Sequence, residues 1–354
     1  MITADLDAEL LASLRAMAAA GELPDEAVLA PGGTWRPATA TSPGNYATSL
    51  PFEIARLAGQ PAADVAAAIA ARLEATAWIK SAVPSGEGYL TIAVTPEALA
   101  EVARRVVAAG PACVRSEILR GTSAVVRPWA DLAVAATWQQ AWQEQADAMA
   151  GRFAEAAGAT TIISSDRERG SSTVRAHPPP DSPLPAAVAY FGVSAIRYEL
   201  ARTLPGRADH LDPFAHARHR SGDPFAAVQL AHADAASTLR WADELAVERR
   251  DPGLELAAAL TTEPERELLG LLSWLPVRVA SAARRQRPDE LPRYLEDVAG
   301  AWATCKQVSP ALPFSGAGAS DPAVICARLL LADAVRVVLQ AGLGLIGIAA
   351  TDRI

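Results

Sequence analysis

The stretch from Asp321 to Ile354 can fold in few ways. Asp321-Pro322 is a helix start: a carboxylate that accepts from free backbone N–H groups, then a residue that loses nothing by lacking one. Val324, Ile325, Leu329, Leu331, Val335, Val338 and Leu339 follow, and together they cover more than half of a helix circumference. Such a helix has to be buried by other helices. Gly342 and Gly344 are the expected stop, where a left-handed residue is needed. Within the helix lies Asp333-Ala334-Val335-Arg336, and after it Leu343-Gly344-Leu345-Ile346-Gly347-Ile348, then Asp352-Arg353-Ile354.

A chain of 354 residues is long enough for two or three such cores. No run of eighteen apolar residues is present, so no membrane span is expected, and the N-terminus lacks the basic-then-apolar pattern of a secretory signal. Cys113, Cys305 and Cys326 lie far apart and fit reduced core thiols, which places the chain in the cytoplasm. The net charge is −8, and neither end is basic: residues 1–110 carry 7 basic and 12 acidic groups, residues 186–354 carry 18 and 20. Any RNA contact must therefore come from local patches. Only Lys80 and Lys306 are lysines, so almost none is available for catalysis.

In chain order, Leu6, Leu10, Leu11, Leu14 and Met17 give an amphipathic helix. A Pro/Gly/Thr-rich loop spans Pro31 to Gly44, and two helices, Leu50–Leu57 and Val65–Leu73, flank Gly59-Gln60-Pro61. Ile79–Val83 and Tyr89–Val94 read as strands around Pro84-Ser85-Gly86-Glu87-Gly88, and Pro96–Ala109 as a helix. Val125-Val126-Arg127-Pro128, a helix from about Leu132 to Ala157 and a strand at Thr160–Ile163 suggest a small β-α-β unit. The remainder is helical, with a long helix opened by Asp223-Pro224 and others over Glu263–Leu275, Pro276–Arg287 and Pro288–Trp302.

The D-A-V-R run and the C-terminus resemble the final helix of arginyl-tRNA synthetases, whose anticodon-binding domain is named after a D-A-L-R run. Gly44-Asn45-Tyr46-Ala47-Thr48 and Gly86-Glu87-Gly88-Tyr89-Leu90 look like the G-D-Y-x-x-N and G-P-G-F-I stretches of that family's N-terminal domain, which touches the D-loop corner of tRNA. Gly192-Val193-Ser194-Ala195-Ile196-Arg197-Tyr198 resembles its G-V-D-A-I-R-Y helix, and residues 223–234 its run N-P-V-Y-Y-V-Q-Y-A-H-A-R. There, tyrosines are replaced by Ala226 or Ala227 and by Leu230, and the last arginine by Asp234; further on, a usual histidine is Asp289. Aromatic stacking faces and a positive charge are thereby lost. The resemblance implies an α+β multidomain chain: an N-terminal α/β module at 1–110, a reduced and degenerate α/β remnant of the catalytic domain at 111–185, and an all-α helical bundle at 186–354.

Catalysis is not expected. A synthetase of this class needs an H-I-G-H motif and a basic K-M-S-K-S-like loop to neutralise transition-state charge, and no H-x-G-H occurs in the chain. His177 stands beside Pro178-Pro179-Pro180, and Asp166-Arg167-Glu168-Arg169-Gly170 carries acids that would oppose a triphosphate. His210, His216 and His219 lack the cysteine or helical partner of a metal site and fit a solvated loop, so neither metal nor cofactor is expected. Candidate tRNA contacts are Asn45, Tyr46, Gln229, His232, Arg278, Arg284, Arg285, Arg287, Arg293, Arg336 and Arg353. His232 has two readings, an RNA contact or a buried inter-helix hydrogen bond. The arginines of 278–293 are either phosphate partners or a solvated helix face. The expected function is an inactive synthetase paralogue that binds tRNA, with no membrane or DNA partner. The alternatives are a scaffold for a protein partner and, third, residual arginine–tRNA ligation or an enzyme using arginyl-tRNA.

Overall fold

The computed structural model describes residues 1–29, 35–38, 45–132, 135, 137–163, 184–208, 222–247, 250–312 and 321–354. The loop expected at 31–44 apart from 35–38, the 166–170 and 177 positions, and His210, His216 and His219 lie outside the described residues. The chain divides into two compact units.

The first unit comprises Met1–Arg105, Arg250–Trp274 and Pro313–Arg328. Helix α1 (Ile2–Ala19) buries Leu6, Leu10, Leu14 and Met17, the face its spacing predicts. Strands β1 (Trp35–Pro37), β2 (Asn45–Thr48), β3 (Ile79–Ser85) and β4 (Tyr89–Val94) form an antiparallel sheet in the order β1-β2-β4-β3. The β3–β4 hairpin follows from its turn residues. Strands β1 and β2 are too short to show an alternation, and the sequence pattern did not reveal them. The inward row Tyr46, Ile92 and Ala82 is in register across three strands and buried. Helices α2 (Leu50–Ala58) and α3 (Ala62–Leu73) supply Ile54, Val65, Ile69 and Leu73 to the same core, and the part of α4 (Pro96–Ala109) that belongs to this unit buries Leu99 and Val102.

Short helix α9 (Leu256–Ala259) and helix α10 (Glu263–Leu272) also belong to this unit. Thr262 and Glu265 form a capping box at the start of α10. The Glu265 carboxylate, fully buried, also accepts from Arg328 Nε at 2.8 Å, so the charge is compensated where water cannot reach it.

The second unit comprises Val106–Arg249, Leu275–Leu312 and Leu329–Ile354. Strands β5 (Ser123–Val126) and β6 (Thr160–Ile163) are parallel and joined by helix α5 (Trp138–Ala156), the β-α-β unit that the sequence suggests. The helix begins at Trp138 rather than Leu132 because Thr137 caps it, accepting from Gln140 N at 3.1 Å. Helices α6 (Leu184–Phe191) and α7 (Val193–Arg202) are separated by Gly192, and their Leu184, Phe191, Ile196 and Leu200 pack with Trp142 of α5.

The rest of the unit is a helical bundle of α8 (Pro224–Glu244), α11 (Leu275–Arg285), α12 (Glu290–Val308) and the C-terminal part of α13 (Pro322–Ile346). Asp321 caps α13 as expected, accepting from Ala323 N at 2.9 Å. Leu331, Val335, Val338 and Leu339 are at most 1% exposed. By length and composition α13 is the one helix among the described residues apolar enough to cross a membrane, but these side chains are core. The stop comes later than Gly342 and Gly344. Gly342 lies inside the helix, where a Cβ would stand 2.5 Å from Leu295 Cδ2, so its role is close packing on α12. Gly347, at φ +83, is the left-handed residue that ends the helix, and its carbonyl accepts from Arg197 Nη1 at 2.9 Å.

Candidate nucleic-acid interface

The densest basic region lies where α11 turns into α12. Helix α11 ends in a left-handed residue, Gln286 at φ +53, and Arg287 N–H bonds back to the Ala282 carbonyl at 3.0 Å. This tight reversal brings Arg284 and Arg285, Arg287, and Arg293 of the first turns of α12 into one neighbourhood. Arg284 and Arg285 also sit in the last turn of α11, where positive charge is favoured by the helix dipole.

The arginines differ in how free they are. Arg287 grips Asp289 with Nε at 2.8 Å and Nη2 at 2.9 Å, and Arg293 Nε stands 3.5 Å from the same carboxylate. Asp289 is 1% exposed; burial pushes its pKa up, but the Arg287 hydrogen bonds and the two guanidinium charges outweigh this and hold it below its usual value. Arg285 Nη1 approaches Glu290 at 3.5 Å. Arg278 is half-buried, its Nε without a partner among the described residues, and its charge opposes the burial that raises the Asp297 pKa. Arg284 is exposed and makes no ion pair among the described residues. Of the arginines at this turn it is the one most available to a phosphate.

The other candidate residues are placed differently. Tyr46 is fully buried, its hydroxyl 2.7 Å from Ser273 Oγ and its ring 5.1 Å from that of Trp274. Burial pushes its pKa well up, opposed by the Ser273 bond, and no base can stack on it. The Asn45 side chain lies outside the described residues. Gln229 and His232, one turn apart on α8, hold the segment after α13. Gln229 Nε2 donates to the Ala349 carbonyl at 3.2 Å, and its Oε1 accepts from Thr351 N and Oγ1. His232 Nδ1 donates to the Thr351 carbonyl at 3.1 Å, while Nε2 is buried without a partner among the described residues. Burial lowers the His232 pKa against the pull of Thr351 and Asp352, so the ring is held neutral. Arg336 is bound to Asp333 on the preceding turn, at 2.9 and 2.7 Å, and Arg353 is exposed.

One exposed feature of the first unit was not marked as a site by the sequence pattern. The Arg36 guanidinium lies 4.4 Å over the Tyr89 ring, and Phe52 meets that ring edge-on at 5.0 Å. Arg36, Ala47, Thr91 and Val83 form one row across the outward face of the sheet. The signal was the Gly88-Tyr89 pair, but the partners come from β1 and α2, which only the fold brings together.

Residues 11–94 match the family described as arginyl tRNA synthetase N terminal domain, and residues 228–354 that described as DALR anticodon binding domain. The chain carries two domains of the arginyl-tRNA synthetases. It is 35% identical over 169 residues to the arginine–tRNA ligase of Micrococcus luteus, covering 47% of this chain and 30% of that one. With the ligase of Frankia alni it shares 37% over 162 residues, 46% of this chain and 29% of the other. The synthetase-related chain thus spans about a third of the length of these relatives. The Thermus thermophilus arginyl-tRNA synthetase structure superposes at a TM-score of 0.65 with 14% identity, the match extending over 100% of both chains, and shows a shared fold.

Proposed function

We propose that this synthetase-related chain binds tRNA and does not activate arginine. One observation carries this reading: two tRNA-synthetase domains are matched at residues 11–94 and 228–354, and the sequence between and around them has no H-x-G-H motif. The lysines support it. Of the two in the chain, Lys80 lies on β3 and Lys306 is bound to Asp234, so neither belongs to a mobile loop that meets a triphosphate. Without these charges the negative charge that develops in adenylate formation has no stabilising partner. Segments 1–110 and 186–354 are on this reading the RNA-binding parts, and 111–185 the reduced remnant of the catalytic domain. Cys113, Cys305 and Cys326 are buried and outside any disulfide, which supports a cytoplasmic setting.

On the RNA side, Arg284 is the primary phosphate contact, with Arg285, Arg287 and Arg293 beside it and Arg353 further along the chain. Arginine-dependent ATP–pyrophosphate exchange by the purified protein is expected to stay at background. Exchange above background that depends on arginine would refute the inactive assignment and leave RNA binding standing.

A further inference from the structure

Resting on the tRNA-binding reading above, we infer that the chain holds tRNA without reading its anticodon bases. The domain that matches the anticodon-binding description includes most of α8, and recognition of unpaired bases needs stacking faces and free hydrogen-bonding edges. Five polar side chains of α8, Gln229, His232, Asp234, Thr238 and Arg240, are committed elsewhere. Both ends of Gln229 hold the backbone at 349 and 351, and His232 holds Thr351. Asp234 accepts from Trp302 Nε1 at 2.9 Å and binds Lys306, so it is a fixed internal partner and its charge repels phosphate. Thr238 donates to the Asp234 carbonyl at 2.9 Å, and Arg240 Nη1 donates to the Asp352 carbonyl at 3.0 Å.

What α8 does present outward discriminates poorly between bases. Ala227 has no polar atom, Leu230, 60% exposed, is aliphatic, and Asp243 and Glu244, exposed in the last turn, are carboxylates whose charge opposes an approaching phosphate backbone. Ser237 offers a hydroxyl that bonds donors and acceptors alike. Trp241, 56% exposed, is the exposed aromatic of this helix, and stacking on its ring is tolerant of sequence because every base has a π-face. Attraction is left to the arginines around the α11–α12 turn, and phosphate contacts position an RNA without specifying it.

The test uses two unmodified tRNA transcripts that share one body and differ at the three anticodon bases, one carrying an arginine anticodon. Their dissociation constants for the full chain, measured by filter binding, are expected to agree within about twofold. One well-made base contact would appear as a preference of roughly tenfold or more, and that result overturns the inference while tRNA binding stands. Trp241→Ala should change both affinities by the same factor; a loss confined to one transcript overturns the inference equally. Failure of both transcripts to bind removes the tRNA reading and this inference with it.

Discussion

Charge reversal at Arg284 and Arg285, combined with Arg287→Gln, is expected to lower tRNA affinity by on the order of 100-fold at moderate salt and to flatten its salt dependence. Every phosphate that goes without its arginine takes about 0.7 to 0.9 off the slope of log K against log salt, so three of them take off roughly 2 to 3. Glutamine is chosen at 287 because its amide can still donate to Asp289, which is 1% exposed, whereas a carboxylate there would repel it. The single variants should not be equivalent. Arg284 is unencumbered, whereas Arg285 and Arg287 already face Glu290 and Asp289, so Arg284→Glu should account for the largest share. Helicity followed by circular dichroism separates weakened phosphate binding from unfolding. Unchanged affinity in the triple variant would assign these residues to the helix cap and the solvated face.

The second large effect concerns the β5–α5–β6 unit. A Cβ at Gly151 would stand 2.3 Å from the Val125 carbonyl oxygen and 2.9 Å from Val126 Cα, both backbone atoms that cannot turn aside. Helix α5 therefore meets strand β5 backbone to backbone, and Gly151→Ala should destabilise the protein by about 1–3 kcal/mol despite the better helix propensity of alanine. Gly300, in the exposed face of α12 with nothing within 4 Å of its missing Cβ, is the control. There the same substitution should stabilise by roughly 0.5–1 kcal/mol. Denaturant midpoints that move in opposite directions confirm the packing. A Gly151→Ala midpoint rising like that of Gly300→Ala would contradict it.

Much of the fold was legible because caps and turns are local chemistry. Asp321-Pro322 and Asp223-Pro224 start their helices, with Asp223 Oδ1 accepting from Phe225 N at 3.0 Å, and the Gly86–Gly88 turn joins β3 to β4. Glycine was harder to read, because it serves both as a stop and as a place for close approach. Gly342 packs on Leu295 while Gly347 ends the helix, and nothing in the spacing tells these apart. The site was less legible for a related reason. Tyr46 stood in a motif, yet its hydroxyl is spent on Ser273, which lies 227 residues away in sequence. Likewise the loss of arginine at Asp234 was visible, but not that the carboxylate would be tied to Trp302 and Lys306. Which arginine remains free depends on partners such as Asp289 and Glu290, and only the turn between α11 and α12 fixes those pairs.

The −8 net charge sharpens the central question, since a chain with no general positive field can attract RNA only through patches such as this one. The most direct measurement is the equilibrium binding of the unmutated full chain to a tRNA transcript at two salt concentrations, about 50 and 200 mM. Saturable binding is expected, with affinity falling as salt rises by a slope of roughly 3 to 4, as the few arginines near the α11–α12 turn require. No binding at the lower salt, or binding indifferent to salt, would contradict the account.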